Sequence, residues 1–336
     1  MNEKLTAAVK EFALSRGADL VGVGNIERWE GAPEKMHPAN IFPEARSVIV
    51  IGVRIPRGCY RGIEEGTHFP SYPIYGYKRL NTQIRPLITY ETARFIEESS
   101  GYEAVPVPPH PPESSPTGPP VAPGKPAPEV YPQFRIAAVA CGLGEIGYSK
   151  VFISPQFGPR QRLGMILTDA PLDPDPLFDG QICDRCKLCI ANCPAGALLS
   201  DQEITINIAG KEMTHVDIHT GRCHLGHWGA TAEDSPFVAK AFPGMNMRMR
   251  EQDMAWGAEA GNFVRGLMEH VPFYQMMWKQ VSGFLATCGA TGCIRTCMDH
   301  LEREGRIEAT FNTGPFRTRK MWSLVCGIPG EPRGVD

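Results

Sequence analysis

Residues 141–162 read CGLGEIGYSKVFISPQFGPRQR. Gly142, Gly144 and Gly147 spell G-x-G-x-x-G, and an acid, Asp169, lies downstream. That is the outline of a dinucleotide-binding turn, which needs a strand before the glycines and a helix of about ten or more residues after them. The residues that follow carry Pro155 and Pro159 and the strand-favouring run Val151, Phe152 and Ile153. No crossover helix fits before the next apolar run, RLGMILTD (162–169), so the dinucleotide reading fails. The preceding FRIAAVA (134–140) is too short to assign by pattern. Three glycines so close together still permit positive φ and close approach of backbone, either to a bulky ligand or to a tight turn of the chain itself.

Upstream, Leu5, Ala8, Val9, Phe12 and Ala13 share one helical face that Gly17 is placed to end. ADLVGVG (18–24) and SVIVIGVRI (47–55) read as buried strands. Ile84, Leu87, Ile88, Thr92, Phe95 and Ile96 predict a helix over 84–99, with Pro86 tolerated in its first turn. Between it and the glycines, residues 106–132 hold twelve prolines, which exclude helix and central strand and predict an extended surface loop or a lid.

Downstream, ICDRCKLCIANCP (182–194) sets Cys183-x2-Cys186-x2-Cys189-x3-Cys193-Pro194. This is the bacterial ferredoxin spacing, in which three thiolates hold one [4Fe–4S] cube and the fourth reaches another. The second cube needs more thiols, and CGATGCIRTC (288–297) supplies Cys288, Cys293 and Cys297, with Cys223 upstream. Ferredoxin logic groups Cys183, Cys186, Cys189 and Cys297, and separately Cys193, Cys223, Cys288 and Cys293, with Cys326 as rival to Cys223. His224 and His227 read as hydrogen-bond donors or surface residues rather than ligands.

The whole chain has 336 residues, 42% hydrophobic and 21% charged, enough for a sizeable core and about two domains. Its formal charge of -3 argues against a protein built mainly to grip phosphate backbones. MNEKLTAAVKEF has acids where a leader would be basic, and no apolar run reaches the ~18 residues of a membrane span, so a cytoplasmic protein is expected. Of its eleven cysteines only Cys59 and Cys141 precede residue 182. That asymmetry predicts a cysteine-poor domain over 1–178 and a metal-bearing one over 179–336, with a methionine-rich insertion at 224–287.

Residues 134–172, taken together with Cys183–Pro194, FPEARSVIVIGV (42–53) and YGYKRLN (75–81), resemble the cobalamin-dependent iron–sulfur reductases. These are the reductive dehalogenases and the epoxyqueuosine reductases. The resemblance implies an α+β chain: a nitroreductase-like α/β corrinoid-binding domain, then a bacterial ferredoxin-like domain with two [4Fe–4S] clusters. It implies corrinoid contacts at Gly142, Leu143, Gly144, Gly147, Tyr148, Ser149, Phe157, Gly158, Arg160 and Leu163. It also implies an oxidoreductase supplied by a low-potential donor such as ferredoxin or flavodoxin. That enzyme would remove a halide, an epoxide oxygen or a similar group.

Proton donors are sought in Tyr131, Glu129, Tyr75 and Tyr77, with Arg135 as an anion clamp. A tyrosine donates readily only beside a cation that lowers its pKa of about 10, or to a very basic product. GLGEIG with FGPRQR resembles the dehalogenase branch more closely, while Met298 stands where that family has proline. Two alternatives stay open: an epoxyqueuosine reductase acting on tRNA, and a corrinoid-binding redox partner with no substrate of its own.

Overall fold

The computed structural model describes residues 2–65, 67–109, 118–128, 130–229, 266 and 286–317. Glu129, Cys326 and nearly all of the methionine-rich insertion therefore lie outside the described residues.

Both amphipathic patterns near the N-terminus form helices. α1 (Glu3–Ser15) buries Thr6, Val9 and Ala13, is capped by the Asn2 side chain, and ends before Gly17 at φ +105°. The apolar runs become β1 (Leu20–Asn25) and β2 (Ser47–Arg54). A short helix, α2 (Arg61–Glu64), precedes two π-helical stretches, Tyr72–Lys78 and Leu80–Ile84. α3 (Arg85–Ser100) then begins with Pro86 in its first turn and stops at Gly101 in the left-handed region. Its buried face is Arg85, Ile88, Thr89, Thr92, Ala93 and Ile96, whereas Ile84 and Leu87 are exposed, so the apolar stripe is rotated from the expected one.

β3 (Ala104–Val107), helix α4 (Phe134–Ala140), the two-residue strands β4 (Glu145–Ile146) and β5 (Phe152–Ile153), and β6 (Gln161–Thr168) follow. The main sheet has order β1-β2-β6-β3, and every pairing in it is antiparallel. β3 is an edge strand, which is why Pro106 is tolerated in it. Val48 and Val50 pack with α4 on one side of the sheet, and Ile49 packs with Val9 and Ile96 on the other. FRIAAVA, undecided by pattern, is a helix because Ala137, Ala138, Val139 and Ala140 are all buried among sheet residues.

The cysteine-rich part contains α5 (Leu188–Ala191), a hairpin of β7 (Leu198–Ile208) and β8 (Lys211–Ile218), α6 (Thr220–Trp228) and α7 (Cys297–Arg303). One hydrophobic cluster joins Ile51, Tyr60 and Tyr72 to Leu225, Ala290, Ile294, Met298 and Phe316. Two buried ion pairs span the same junction, Arg57–Glu302 at 2.6 Å and Glu64–Arg295. The segment 286–317 thus packs into the core that the sheet begins. Among the described residues no helix is long and apolar enough to cross a membrane.

Candidate redox centre

Cys183 and Cys186 sit on the loop entering α5, where Arg185 and Lys187 take positive φ of 56° and 60°, and Cys189 lies within α5 itself. Residues with a Cβ pay for this conformation, and here it curls the loop around the exposed Cys186. Backbone N–H groups donate to three sulfurs: Tyr148 to Cys183 Sγ at 3.3 Å, Ala197 to Cys193 Sγ at 3.4 Å, and Ala290 to Cys288 Sγ at 3.3 Å. Such donors favour thiolate over thiol and tune a bound cluster.

The thiols fall into two neighbourhoods. Burial raises the Cys297 pKa first, and the nearby Cys183, Cys189 and Cys186 raise it further, with Cys293 the smallest contributor. Burial pushes Cys189 up to about 11, again with Cys183 and Cys186 as its charged neighbours. Burial takes Cys293 to about 12, helped instead by Cys223 and Cys193. Cys288 belongs beside these, since Tyr72 feels Cys293 and Cys288 while Tyr77 feels Cys223 and Cys288. Crowded, desolvated thiols resist ionisation, so each set holds protons until a cation displaces them. This donor chemistry fits iron.

Two contacts unforeseen in the sequence hold these loops together. The buried carboxylate of Glu145 accepts the N–H groups of Ile182 (3.0 Å) and Cys183 (2.6 Å), tying the glycine segment to the first cysteine. Gly292, inside the second cysteine run, lies where a Cβ would stand 2.5 Å from Cys189 O and 2.9 Å from Cys193 N. Only glycine lets the two runs approach this closely. The signal was present, as a glycine between paired cysteines, but spacing alone does not say what it touches.

The glycine motif is satisfied by the chain itself. A Cβ on Gly142 (φ +77°) would meet Pro176 O at 2.2 Å, and one on Gly144 (φ +154°) would meet Ile153 O at 2.1 Å. Gly147 is filled by Ile153 Cδ1 at 2.4 Å. The other expected corrinoid contacts are also occupied in packing. Tyr148, Ser149, Gly158, Arg160 and Leu163 are buried, and Leu143 packs in the α4 core. Only Leu143 and Phe157 are half-buried. Packing against Pro176 and Ile153 accounts for the glycines as a tight helix-to-strand turn, and the corrinoid contacts at these ten residues stay what the resemblance implies.

Of the proton-donor candidates among the described residues, Tyr77 alone lies beside the thiols. The π-helical winding, with i→i+5 closure, carries Tyr72 and Tyr77 to one side of the turn. Arg162, at the start of β6, donates from Nη2 to Tyr72 Oη at 3.0 Å and to Gly76 O at 3.3 Å. Its guanidinium lies 4.9 Å from the Tyr77 ring centre, and His227 meets that ring edge-on at 5.0 Å. Burial raises the Tyr77 pKa and Arg162 opposes the rise. Arg85 adds a second cation, lowered to about 10 by burial and by Arg162. Among the described residues neither arginine forms an ion pair. Arg162 went unremarked in the sequence, although an arginine in the otherwise apolar RLGMILT was its signal.

The remaining candidates stand elsewhere. Tyr75 is 61% exposed, so its side chain faces solvent rather than a dry site. The Tyr131 N–H donates to Lys35 O at 2.8 Å, and α4 separates it from the Gly142 turn. Arg135 donates to Lys150 O at 2.6 Å, so part of the expected anion clamp is engaged by backbone.

No family profile matches the chain. Over 64 residues it is 39% identical to tetrachloroethene reductive dehalogenase of Sulfurospirillum multivorans, covering 18% of this chain and 13% of that protein. Over 78 residues it is 32% identical to epoxyqueuosine reductase of Listeria monocytogenes, covering 23% of this chain and 20% of that one. These matches span a fifth or less of the relatives' length. Among solved structures, an epoxyqueuosine reductase with a tRNA stem loop aligns at TM-score 0.47 and 13% identity, over 90% of this chain and 83% of that one. A reductive dehalogenase aligns at TM-score 0.44 and 17% identity, over 84% and 36%. The expectation that nucleic acid is an unlikely partner gains no support from these relatives.

Proposed function

We propose that this chain, a member of the superfamily of reductive dehalogenases and epoxyqueuosine reductases, is an oxidoreductase that removes a leaving group from a small molecule. Its cofactors are two [4Fe–4S] clusters, one on Cys183, Cys186, Cys189 and Cys297, the other on Cys193, Cys223, Cys288 and Cys293. The superfamily resemblance also implies a corrinoid, which when bound would supply cobalt redox chemistry. The domain arrangement read here is a nitroreductase-like part, 1–178, and a ferredoxin-like part, 179–336. A ferredoxin or flavodoxin supplies electrons, in the cytoplasm.

The reading rests on the two cysteine runs of ferredoxin spacing, with Cys183, Cys186 and Cys189 near Cys297, and Cys223 and Cys193 near Cys293. When bound, the clusters supply electrons one at a time at a potential set by burial and N–H donors. The residues of the chain do the rest. Tyr77 keeps a proton on its Oη because burial disfavours the phenolate. Arg162 beside it stabilises the phenolate once that proton has gone to product. Arg162 also holds Tyr72, and through Gly76 O it fixes the π-helical turn that orients both rings. The second set of thiols lies next to these rings, so electrons and the proton are delivered to one place.

A second reading, reduction of epoxyqueuosine in tRNA, is favoured by the 78-residue match to an epoxyqueuosine reductase. Anaerobically reconstituted protein with a low-potential reductant, offered organohalides and epoxyqueuosine-bearing tRNA in parallel, separates the two. Halide release supports the first reading; queuosine formation replaces it with the second.

A further inference from the structure

A cleft of about 560 Å3 opens beside the turn Arg57–Tyr60, lined by Arg57, Gly58, Arg61, Glu65, Phe311 and Thr313. Its volume is that of a small-molecule site. None of the thiols, and neither Tyr77 nor Arg162, lines it.

The arginines around the cleft differ in what they hold. Arg57 is fully engaged: Nη1 donates to Glu302 (2.6 Å) and Gly314 O (2.9 Å), Nη2 to Thr313 (2.5 Å), and its face lies 3.6 Å from the Phe311 ring centre. Arg61 forms no hydrogen bond or ion pair among the described residues, only a contact with the Phe316 ring at 4.9 Å. Arg160 is 1% exposed, and Nη1 donates to Ile55 O at 2.9 Å. Its Nε and Nη2 are buried with no partner. These two N–H groups lie along one edge of the guanidinium, the fork that matches two oxygens of a carboxylate or phosphate.

A buried cation left with two open donors is costly. Glu302, the acid that acts on Arg160, gives Oε2 to Arg57 and the Phe316 N–H, while its Oε1 is buried with no partner and bonds neither open donor. The fully buried Tyr60 Oη beside Arg160 is likewise without a partner. Among the described residues Arg57 and Arg160 stand near Glu302, while Arg61 and Glu65 line the cleft. The Arg160 guanidinium is 5.6 Å from the ring centre of Phe311, the cleft wall, and that ring is 40% exposed.

We propose that this cleft binds an oxyanion, with Arg160 taking two oxygens of a carboxylate or phosphate group, Arg61 neutralising it, and Phe311 as the wall it displaces. The site is separate from the thiols and does not depend on the proposed reaction.

Calorimetric titration of the full chain with inorganic phosphate, and separately with acetate, tests this. Saturable binding of either anion is expected, and which of them binds tells a phosphoryl ligand from a carboxylate. Affinity should fall about ten-fold or more in Arg160→Gln, the scale of a charged hydrogen bond. A smaller loss is expected in Arg61→Gln, which sits at the rim and keeps the proposal testable if Arg160→Gln does not fold. Phe311→Ala should bind at least as tightly as the parent. Absence of saturable binding in the parent, or unchanged affinity in the arginine variants, overturns the proposal. A crystal structure showing only water at Arg160 Nε and Nη2 in saturating phosphate and acetate would do the same.

Discussion

The Arg162 guanidinium lies 4.9 Å from the centre of the Tyr77 ring while its Nη2 is bound to the Tyr72 hydroxyl at 3.0 Å. One cation therefore serves two tyrosines five residues apart, and only Tyr77 has its face on it. Replacing Tyr77 with Phe should lower turnover by about 10²-fold or more, the scale of a lost general acid, with iron content unchanged. Turnover and iron assays on the same preparation check this; parent-like turnover in Tyr77→Phe moves the donor elsewhere.

Gly292 separates the two cysteine runs by less than a methyl group's room. Gly292→Ala should push Cys189 O and Cys193 N away from the turn at 291–296, and so damage both sets of thiols together. Iron and sulfide analysis after reconstitution should find both clusters depleted. A fully loaded Gly292→Ala protein contradicts the close approach.

Glu64 and Arg295 form an ion pair in which each side chain is 1% exposed. Glu64→Gln strands a buried cation and should destabilise the fold by about 3–5 kcal/mol. Denaturant unfolding of the reconstituted protein measures it, and a loss below about 1 kcal/mol would show that the pair does not join the two parts.

Burial, then His224 and Arg162, hold His227 at about 4 against an ordinary value of 6.5. The fold favours the neutral ring, so its contribution is complete above pH 6.5 and is lost as pH falls from 6.5 through about 4. His227→Gln should remove that part of the acid sensitivity. Melting temperatures of parent and variant, compared at pH 7 and pH 5, should diverge; equal losses on acidification dismiss the histidine.

Much of the fold was legible because local patterns there have few solutions. The α1 and α3 stripes, the β2 and β6 runs and the Pro86 helix start follow from periodicity and from what proline allows. The edge position of β3 follows from Pro106. The rotation of the α3 face was not legible, because burying Arg85 depends on Leu163 O and Asn81 O, partners that pattern does not locate. At the glycine motif the near neighbours are Pro176 and Ile153 of the same chain, which the pattern of glycines does not locate. The proposed ligand grouping of the thiols could be read from spacing, which follows the bacterial ferredoxin pattern. Glu145, Gly292 and Arg162 could not, because each acts through a contact distant in sequence.

Iron and acid-labile sulfide counted in anaerobically reconstituted protein test the central claim most directly. Two sets of four thiols predict about eight irons and eight sulfides per chain. Within that, Cys223→Ser should lose the second cluster and Cys326→Ser should keep both. About four irons per chain after full reconstitution would contradict the account.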